Sequence, residues 1–375
     1  MAADAKSKSI PYVDLGGQFA AERREVMSAI EKVLEGGQFV GGKEVDDLEV
    51  ALAAYCGTRE AITLDSGTIA LVMALQAIGV KPGDEVITPP NSFVASTAAI
   101  LHAGAKPVFA DVRADQNIDP DAVAAAITPR TVAIMPVHLT GRMADMHDIM
   151  AIAKRRKLAV IEDAAQAIGS KFDGKRAGSL GDFNCFSTHP LKNLNGPGDG
   201  GFITTNDSAA ALRMRRYRNH GLVDRNTVGE WGVVARMDNI QAAVLSVRLA
   251  KLDRINERKR AIAAIYRKLL DPAHAFIAPC RQIEYNTFQT MVIQVDRRDE
   301  LQRHLAARDI QSAIHYPIPI HLQPCATDLG YKRGQFPVTE RQAERILSIP
   351  SYPAMSDADV ERVAETINAF YRGKG

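Results

Sequence analysis

The residues of this chain that are best suited to chemistry lie between positions 161 and 201. One strand-like segment ends in Asp163 and another ends in Ser187. Five residues later, Lys192 lies in a glycine-rich loop that ends at Gly201. In open α/β sheets, ligands bind beyond the carboxyl ends of the strands. We therefore expect an acid, a hydroxyl and an amine to meet at one edge of a sheet.

This set of groups matches what pyridoxal 5'-phosphate (PLP) requires of a protein. PLP needs an amine that holds it as an imine and a carboxylate that keeps its pyridine nitrogen protonated, so that the ring accepts carbanion electrons. Lys192 is the candidate amine, Asp163 the candidate carboxylate and Ser187 a candidate phosphate ligand. The amine must also act as a base, which requires a pKa lowered by burial or by a neighbouring cation. An isolated loop lysine is usually solvated, but the neighbours of Lys192 favour catalysis.

Two further segments fit such a site. Ser66, Gly67 and Thr68 follow a short strand and open a helix, where free backbone N–H groups form a seat for a phosphate. Simple helix capping is the alternative, and both roles are compatible. Phe93 follows the next strand and a Pro-Pro pair, so its ring is placed to stack on a cofactor, although most phenylalanines pack in a core.

The glycines between residues 196 and 201 match the pattern G-x-G-x-x-G. That pattern binds dinucleotides when it follows a strand and opens a helix. Here a proline interrupts the glycines, and a predicted strand at 202–204 follows them. We therefore reject a nicotinamide-dinucleotide site.

The arrangement of predicted elements indicates the fold. From about residue 60 to 205, short apolar strands alternate with amphipathic helices, which predicts a buried, mainly parallel sheet. A continuous helix is predicted over about 237–270, and a smaller α+β region follows it. We expect a large PLP-binding α/β domain over residues 1–250 and a small C-terminal α+β domain over residues 251–375.

Composition excludes several classes of protein. A length of 375 residues suits two domains that share one site. The net charge of +2 favours neither a nucleic-acid partner nor an anionic membrane. The N-terminus lacks the order of a secretory signal, and no apolar run has membrane-spanning length. We expect a cytoplasmic protein.

We expect no metal site. The four cysteines are far apart and never form C-x-x-C. His138, Asp145, His147 and Asp148 suggest a metal site by type. However, His138 ends a predicted strand and Asp145 is well placed to cap a helix, so packing and capping are favoured.

Several runs of the chain together resemble one known family. In chain order they are Ser66–Thr68, Pro136–Leu139, Ile161–Gly169, Phe186–Gly201, Arg236–Ala243 and His315–Pro319. These runs are similar to motifs of the DegT/DnrJ/EryC1/StrS sugar aminotransferases, and the resemblance extends from about Val13 to Tyr371. It implies a fold-type I PLP-dependent transferase, with a seven-stranded-type sheet and a homodimer whose active sites lie at the interface.

The resemblance also implies roles for individual residues. Lys192 forms the Schiff base, Asp163 pairs with the pyridine nitrogen and Gln166 bonds the ring hydroxyl. The remaining cofactor contacts are the phosphate ligands and the stacking ring, namely Gly67, Thr68, Ser187 and Phe93. The implied contacts to substrate, some of them from the neighbouring subunit, are His189, Arg236, His315 and Tyr316.

The implied reaction moves an amino group from L-glutamate to a nucleotide-linked keto sugar, and the resemblance favours a 3-keto sugar. Lipopolysaccharide, glycan and antibiotic sugars are all open as products. One alternative is transfer to a keto-cyclitol for an aminoglycoside, and another is a PLP-bound regulatory protein without turnover. The family's dehydratases replace the lysine with His, so Lys192 argues against dehydration.

The chain departs from the family at one position. Many members carry Asn two residues before the arginine that is Arg236 here, and that amide reaches the cofactor phosphate across the dimer. This chain has Val234 at that position. Valine has no hydrogen-bond donor in its side chain, so this cross-subunit contact must come from another group or from water.

Overall fold

A computed structural model describes residues 9–373 of the chain. None of the helices in this range combines the length and apolar composition that a membrane crossing requires. The helices are α1 (Leu15–Gly36), α2 (Lys43–Cys56), α3 (Gly67–Ala77), α4 (Val94–His102), α5 (Pro120–Ala126), α6 (Met146–Arg156), α7 (Ser208–Tyr217), α8 (Asn239–Leu249), α9 (Leu252–Leu269), α10 (Arg298–Ala306), α11 (Pro337–Arg345) and α12 (Asp357–Arg372). The strands are β1 (Glu60–Leu64), β2 (Glu85–Thr88), β3 (Lys106–Phe109), β4 (Thr131–Ile134), β5 (Ala159–Asp163), β6 (Lys171–Phe172), β7 (Lys175–Arg176), β8 (Phe183–Ser187), β9 (Gly201–Thr205), β10 (Ala275–Phe276), β11 (Glu284–Tyr285), β12 (Met291–Val295) and β13 (Ile346–Ile349).

A seven-stranded sheet forms the centre of the molecule, in the order β1-β9-β8-β5-β4-β2-β3. Neighbouring strands from β8 to β3 run parallel, and β9 runs against both of its neighbours. β2 and β9 are buried along their whole length, as expected for strands that are covered by helices on both faces. The predicted α/β fold with a mainly parallel sheet is confirmed.

A second hydrophobic core surrounds the three-stranded antiparallel sheet β10-β12-β13. Side chains from α9, α10 and α12 pack into this core, including the fully buried Tyr266. Ile10 joins it from the N-terminal segment, which pairs with the chain near Ile310. The division of the chain at residue 250 stays a prediction.

The long helix predicted over 237–270 is wrong as a single element, because it is divided into α8 and α9. The amide of Lys251 donates to Arg248 O, three residues back, instead of continuing the regular helical ladder. The two helices serve different cores: Leu245 of α8 packs beneath the large sheet, whereas Ile262 of α9 packs in the second core. The break allows each helix to turn its apolar face towards its own core.

A buried ion pair joins the end of α8 to α1. Arg248 Nε donates to Glu22 Oε1 at 2.7 Å, and both side chains are less than a tenth exposed. Arg248 Nη1 also donates to Asn195 O at 2.6 Å, in the loop that carries Lys192. The arginine therefore connects two helices with the loop of greatest chemical interest.

We expect Arg248→Met to lower the free energy of unfolding by about 3–5 kcal/mol, because it leaves the Glu22 carboxylate buried without its cation. Urea unfolding at a fixed protein concentration measures this loss. Arg24→Met removes an exposed arginine from α1 and serves as the control, with little change expected. Equal stability of the two variants would contradict a stabilising role for the ion pair.

Candidate active site

A cavity of about 910 Å³ opens beyond the carboxyl ends of β1, β5 and β8. This is the edge of a sheet at which α/β proteins bind ligands. Ten of the eleven site residues predicted from sequence line this cavity, namely Gly67, Thr68, Phe93, Asp163, Gln166, Ser187, His189, Lys192, His315 and Tyr316. Arg236 is not among the lining residues of its own chain.

The loop that carries Lys192 leaves β8 and is closed by hydrogen bonds within itself. Lys192 N donates to His189 O at 2.9 Å, and Gly196 N donates to Thr188 O at 2.7 Å. Burial lowers the pKa of the Lys192 amine to about 8, while the charge of Asp163 acts in the opposite direction. A much larger fraction of this amine than of an ordinary lysine, whose pKa is 10.5, is therefore neutral near neutral pH and able to act as a nucleophile or base.

Asp163 ends β5 and faces the cavity with only 4% of its surface exposed. Ser96 Oγ donates to its Oδ2 at 2.7 Å, and Ala165 N donates to its Oδ1 at 3.2 Å. Burial raises the pKa of this carboxyl, and these hydrogen bonds together with the charge of Lys192 act against the rise. A cation bound in the cavity would favour the ionised form further.

Ser96 is a site residue that sequence reasoning missed. It lies on α4, three residues after Phe93, so one helical turn separates the two. That spacing is a usable signal, because residues three apart on a helix share a face. Nothing local to Ser96, however, indicates that its partner is a carboxylate 67 residues away.

An anion seat lies where β1 leads into α3. Ser66 caps the helix by accepting from Ile69 N at 3.3 Å, so the first N–H groups of α3 face the cavity edge without helical acceptors. Gly67 packs directly on β8, where an added Cβ would lie 2.8 Å from Ser187 Cβ. The contact requires glycine and places the Ser187 hydroxyl beside the helix N-terminus.

Gly201 belongs to the same contact. A Cβ added there would lie 2.5 Å from the main-chain carbon of Ser66, so β9 also requires glycine at this point. An anion seat, a buried carboxylate and a buried amine thus line one cavity. This donor set fits the phosphate, pyridine nitrogen and aldehyde of PLP.

Gln166, Tyr316 and Phe93 form one wall of the cavity. Gln166 Oε1 accepts from Thr140 N at 2.7 Å, which directs its amide nitrogen towards Tyr316 Oη, 3.5 Å away. The Phe93 ring is 53% exposed, and its centroid lies 5.6 Å from that of Tyr316. Phe93 is therefore a wall residue rather than a core residue, and burial raises the pKa of Tyr316.

His315 and Tyr12 form the adjoining wall. His315 Nδ1 lies 2.8 Å from Ser348 Oγ, and its ring stacks on Tyr12 with a centroid distance of 5.7 Å. Burial, assisted by the charge of Lys192, lowers the pKa of His315, so the ring is neutral near neutral pH. Burial also raises the pKa of Tyr12 to about 12. Sequence reasoning missed Tyr12, because no local pattern links residue 12 to residue 315.

Arg236 lies at the base of an arm formed by residues 219–234. Its Nη1 donates to Asn219 Oδ1 at 2.8 Å, and Asn219 pairs with Val234 across a short antiparallel bridge. Val234 is 56% exposed and Trp231 is 93% exposed. The arm thus presents exposed apolar side chains beside Arg236.

Three of the four residues that suggest a metal by type, His138, Asp145 and His147, have other partners. His138 is fully buried, with Nε2 at 2.8 Å from Glu162 Oε2. Asp145 occupies the N-cap position of α6, but the expectation that it caps the helix is wrong, because its side chain makes no capping bond. The Asp145 carboxylate instead forms an ion pair with Arg281, in which Nη1 lies 2.6 Å from Oδ2. His147 lies at the surface beside Asp173.

Known proteins resemble this chain over nearly its whole length. The DegT/DnrJ/EryC1/StrS aminotransferase family profile matches residues 20–368. A Geobacillus stearothermophilus relative named pleiotropic regulatory protein is 43% identical, over 97% of this chain and 99% of its own. The dTDP-3-amino-3,6-dideoxy-alpha-D-galactopyranose transaminase of Aneurinibacillus thermoaerophilus is 41% identical, over 96% and 99%. The X-ray structure of S. venezuelae DesV with a ketimine intermediate has a TM-score of 0.95 and 38% identity, over 97% and 99%.

The cavity contains the groups that a PLP-dependent aminotransferase needs, and one of these relatives is named as a transaminase. Several further relatives are named for transamination of dTDP- or UDP-linked sugars, and the family depends on PLP. The family, enzyme class and cofactor predicted from sequence are confirmed. This chain belongs to the DegT/DnrJ/EryC1/StrS aminotransferase family, whose members use PLP.

Proposed function

We propose that this enzyme transfers an amino group from L-glutamate to a nucleotide-linked keto sugar, with carbon 3 as the aminated position. The observation that carries the proposal is the placement of Lys192, Asp163 and the anion seat in one cavity. The printed names of the dTDP and UDP relatives support the nucleotide, and most of them specify a 3-amino or 3-keto sugar.

When bound, PLP supplies an electron sink for the carbanion formed at the substrate carbon. Asp163 would hold a proton on the ring nitrogen, and Gln166 would offer its amide nitrogen to the ring hydroxyl. Ser187, Gly67 and Thr68 bind the phosphate.

Lys192 would hold the cofactor through its amine and, when that amine is free, would move a proton to and from the substrate carbon. Phe93 supports one face of the ring.

The substrate end of the cavity is lined by His189, His315 and Tyr316. Arg254 of α9 also lines the cavity, and this exposed cation makes no hydrogen bond or ion pair with another of the described residues. Its neighbours Lys251 and Arg258 are already paired with Glu25 and Asp357. We assign Arg254 to the diphosphate of the nucleotide sugar, because a free guanidinium suits phosphate oxygens.

A homodimer completes this proposal. The arm of residues 219–234 carries exposed apolar side chains, and large exposed apolar surfaces mark sites of protein association. A second copy that covers Trp231 and Val234 brings Arg236 towards a shared substrate site. The regulatory name of one relative does not argue against turnover, since this chain has both the amine and the acid that turnover needs.

Lys192→Ala tests the central role. We expect the rate of 2-oxoglutarate formation from glutamate to fall by at least on the order of 10²- to 10⁴-fold, the range for loss of a general base. Single-turnover assays with PLP-loaded protein measure it. Lys154→Ala, an exposed lysine on α6, is the matched control and should keep the full rate. Full activity in the Lys192 variant would reject the assignment.

The lowered pKa of Lys192 gives a pH signature. The rate of PLP attachment to the apo-protein should rise with pH and level off above about 8, because only the neutral amine attacks the aldehyde. Stopped-flow absorbance measures the rate. A rate that keeps rising to the usual lysine pKa of 10.5 would show that the amine is not buried.

Arg254→Met tests the substrate class. We expect the KM for dTDP- or UDP-linked 3-keto sugars to rise by about 10- to 100-fold, the value of a charged hydrogen bond, with the glutamate half-reaction unchanged. Lys268→Met removes an exposed cation of α9 outside the cavity and is the control. If wild type and variant aminate a free keto-cyclitol as well as they do nucleotide sugars, the nucleotide assignment is wrong.

A further inference from the structure

A buried lysine lies behind the loop that carries Lys192. Lys259 of α9 lines the same cavity and is only 6% exposed. Its Nζ donates to Asn193 Oδ1 at 3.0 Å and to Gln289 O at 2.7 Å. Both acceptors are uncharged, so among the described residues this amine is held by hydrogen bonds and not by an ion pair.

These contacts hold both neighbours of Lys192 in the chain. Asn193 follows it, and Asn193 Nδ2 donates onward to Asn256 Oδ1 at 2.8 Å. Leu191 precedes it, and its carbonyl accepts from Gln289 Nε2 at 2.9 Å. Lys259 therefore contacts Asn193 directly and is linked to Leu191 through Gln289, whose main chain it binds and whose side chain binds Leu191.

Keeping the Lys259 amine charged at this buried position costs free energy. A buried ammonium without a carboxylate loses hydration that neutral acceptors replace only in part. Burial accordingly lowers the pKa of Lys259 to about 7. A helix position that needed only packing would be served better by Met or Leu, so the lysine has a use other than packing.

The opposite side of the loop has separate supports. Asn195 exchanges two hydrogen bonds with Gln18 of α1, at 3.0 and 3.1 Å, and its carbonyl accepts from Arg248. These bonds hold the distal part of the loop without involving Lys259. Removing the Lys259 ammonium should therefore leave the loop folded but free the segment around Lys192.

We propose that Lys259 is a positioning residue that fixes the amine of Lys192 through residues 191 and 193. The proposal rests on the function of Lys192 given above. Its effect is greatest when Lys192 is not attached to the cofactor, because the free amine must then remain beside the substrate carbon to carry the proton. An amine on a loosened loop spends less time in the reactive geometry.

The test uses PLP-loaded Lys259→Met, which keeps the length of the side chain and removes its donors. We expect the single-turnover rate with glutamate to fall by roughly 10- to 100-fold, the scale of a small misplacement, with little change in the glutamate concentration needed for half-saturation. Lys268→Met on the same helix is the control. A raised half-saturation concentration at full maximal rate would instead make Lys259 a ligand of the donor carboxylate and would overturn the proposal.

Asn193→Ala is a second test of the link between Lys259 and the loop, and it changes no charge. If Lys259 acts through Asn193, the double variant loses no more rate than the worse single variant, whereas independent roles give multiplied losses. Circular dichroism and gel filtration establish that each variant is folded. Should Lys259→Met fail to fold, a variant that combines Asn193→Ala with Gln289→Ala replaces it, because these two residues carry both links to the loop. A full rate in that variant overturns the proposal, and a loss confined to the maximal rate supports it.

The outcome is separable from that of the proposed function. Borohydride trapping of PLP on Lys192, followed by peptide mapping, needs neither glutamate nor a sugar. If wild type traps PLP but does not react with glutamate, the proposed function fails, while slower attachment in Lys259→Met still supports positioning. Equal attachment rates at every pH, with equal turnover, would remove the case for Lys259.

Discussion

The site requires that a buried amine, Lys192, and a buried carboxylate, Asp163, share one cavity without forming an ion pair that would make both unreactive. Burial acts on both groups, lowering the pKa of Lys192 and raising that of Asp163. Each is held by its own neighbours: Asp163 by Ser96 and the following backbone, Lys192 by the loop around it. Because the two groups have separate hydrogen-bond partners, the pKa of each is set by its own surroundings.

Strand alternation explains why only one of two adjacent acids serves this purpose. Glu162 and Asp163 are consecutive in β5, so their side chains point to opposite faces of the sheet. Glu162 accepts from Gly178, Leu180 and Gly181 and pairs with His138, which ties the turn before β8 to the centre of the sheet. The structural acid thereby helps to fix the strand that leads to Lys192.

Sequence reasoning found the parts of this site that lie at strand ends and missed the parts that meet only through tertiary packing. Asp163 and Ser187 end predicted strands and Gly67 closely follows one, and the edge of a parallel sheet brings such positions together. Tyr12 and Lys259 carry no local signal, because their partners lie far away in the chain. The division between α8 and α9 was missed for the same reason, since the periodicity of their apolar residues does not reveal that two cores are being served.

The contact of Gly67 and Gly201 with the strand that bears Ser187 has a consequence for how such enzymes diverge. The phosphate end of the cavity is shaped by main chain packed against main chain, where a single added methyl group would collide. The opposite end is built from side chains on loops and from the outer turns of α9, which tolerate exchange. Evolution can therefore change the preferred acceptor by replacing side chains at one end, while the other end admits almost no variation.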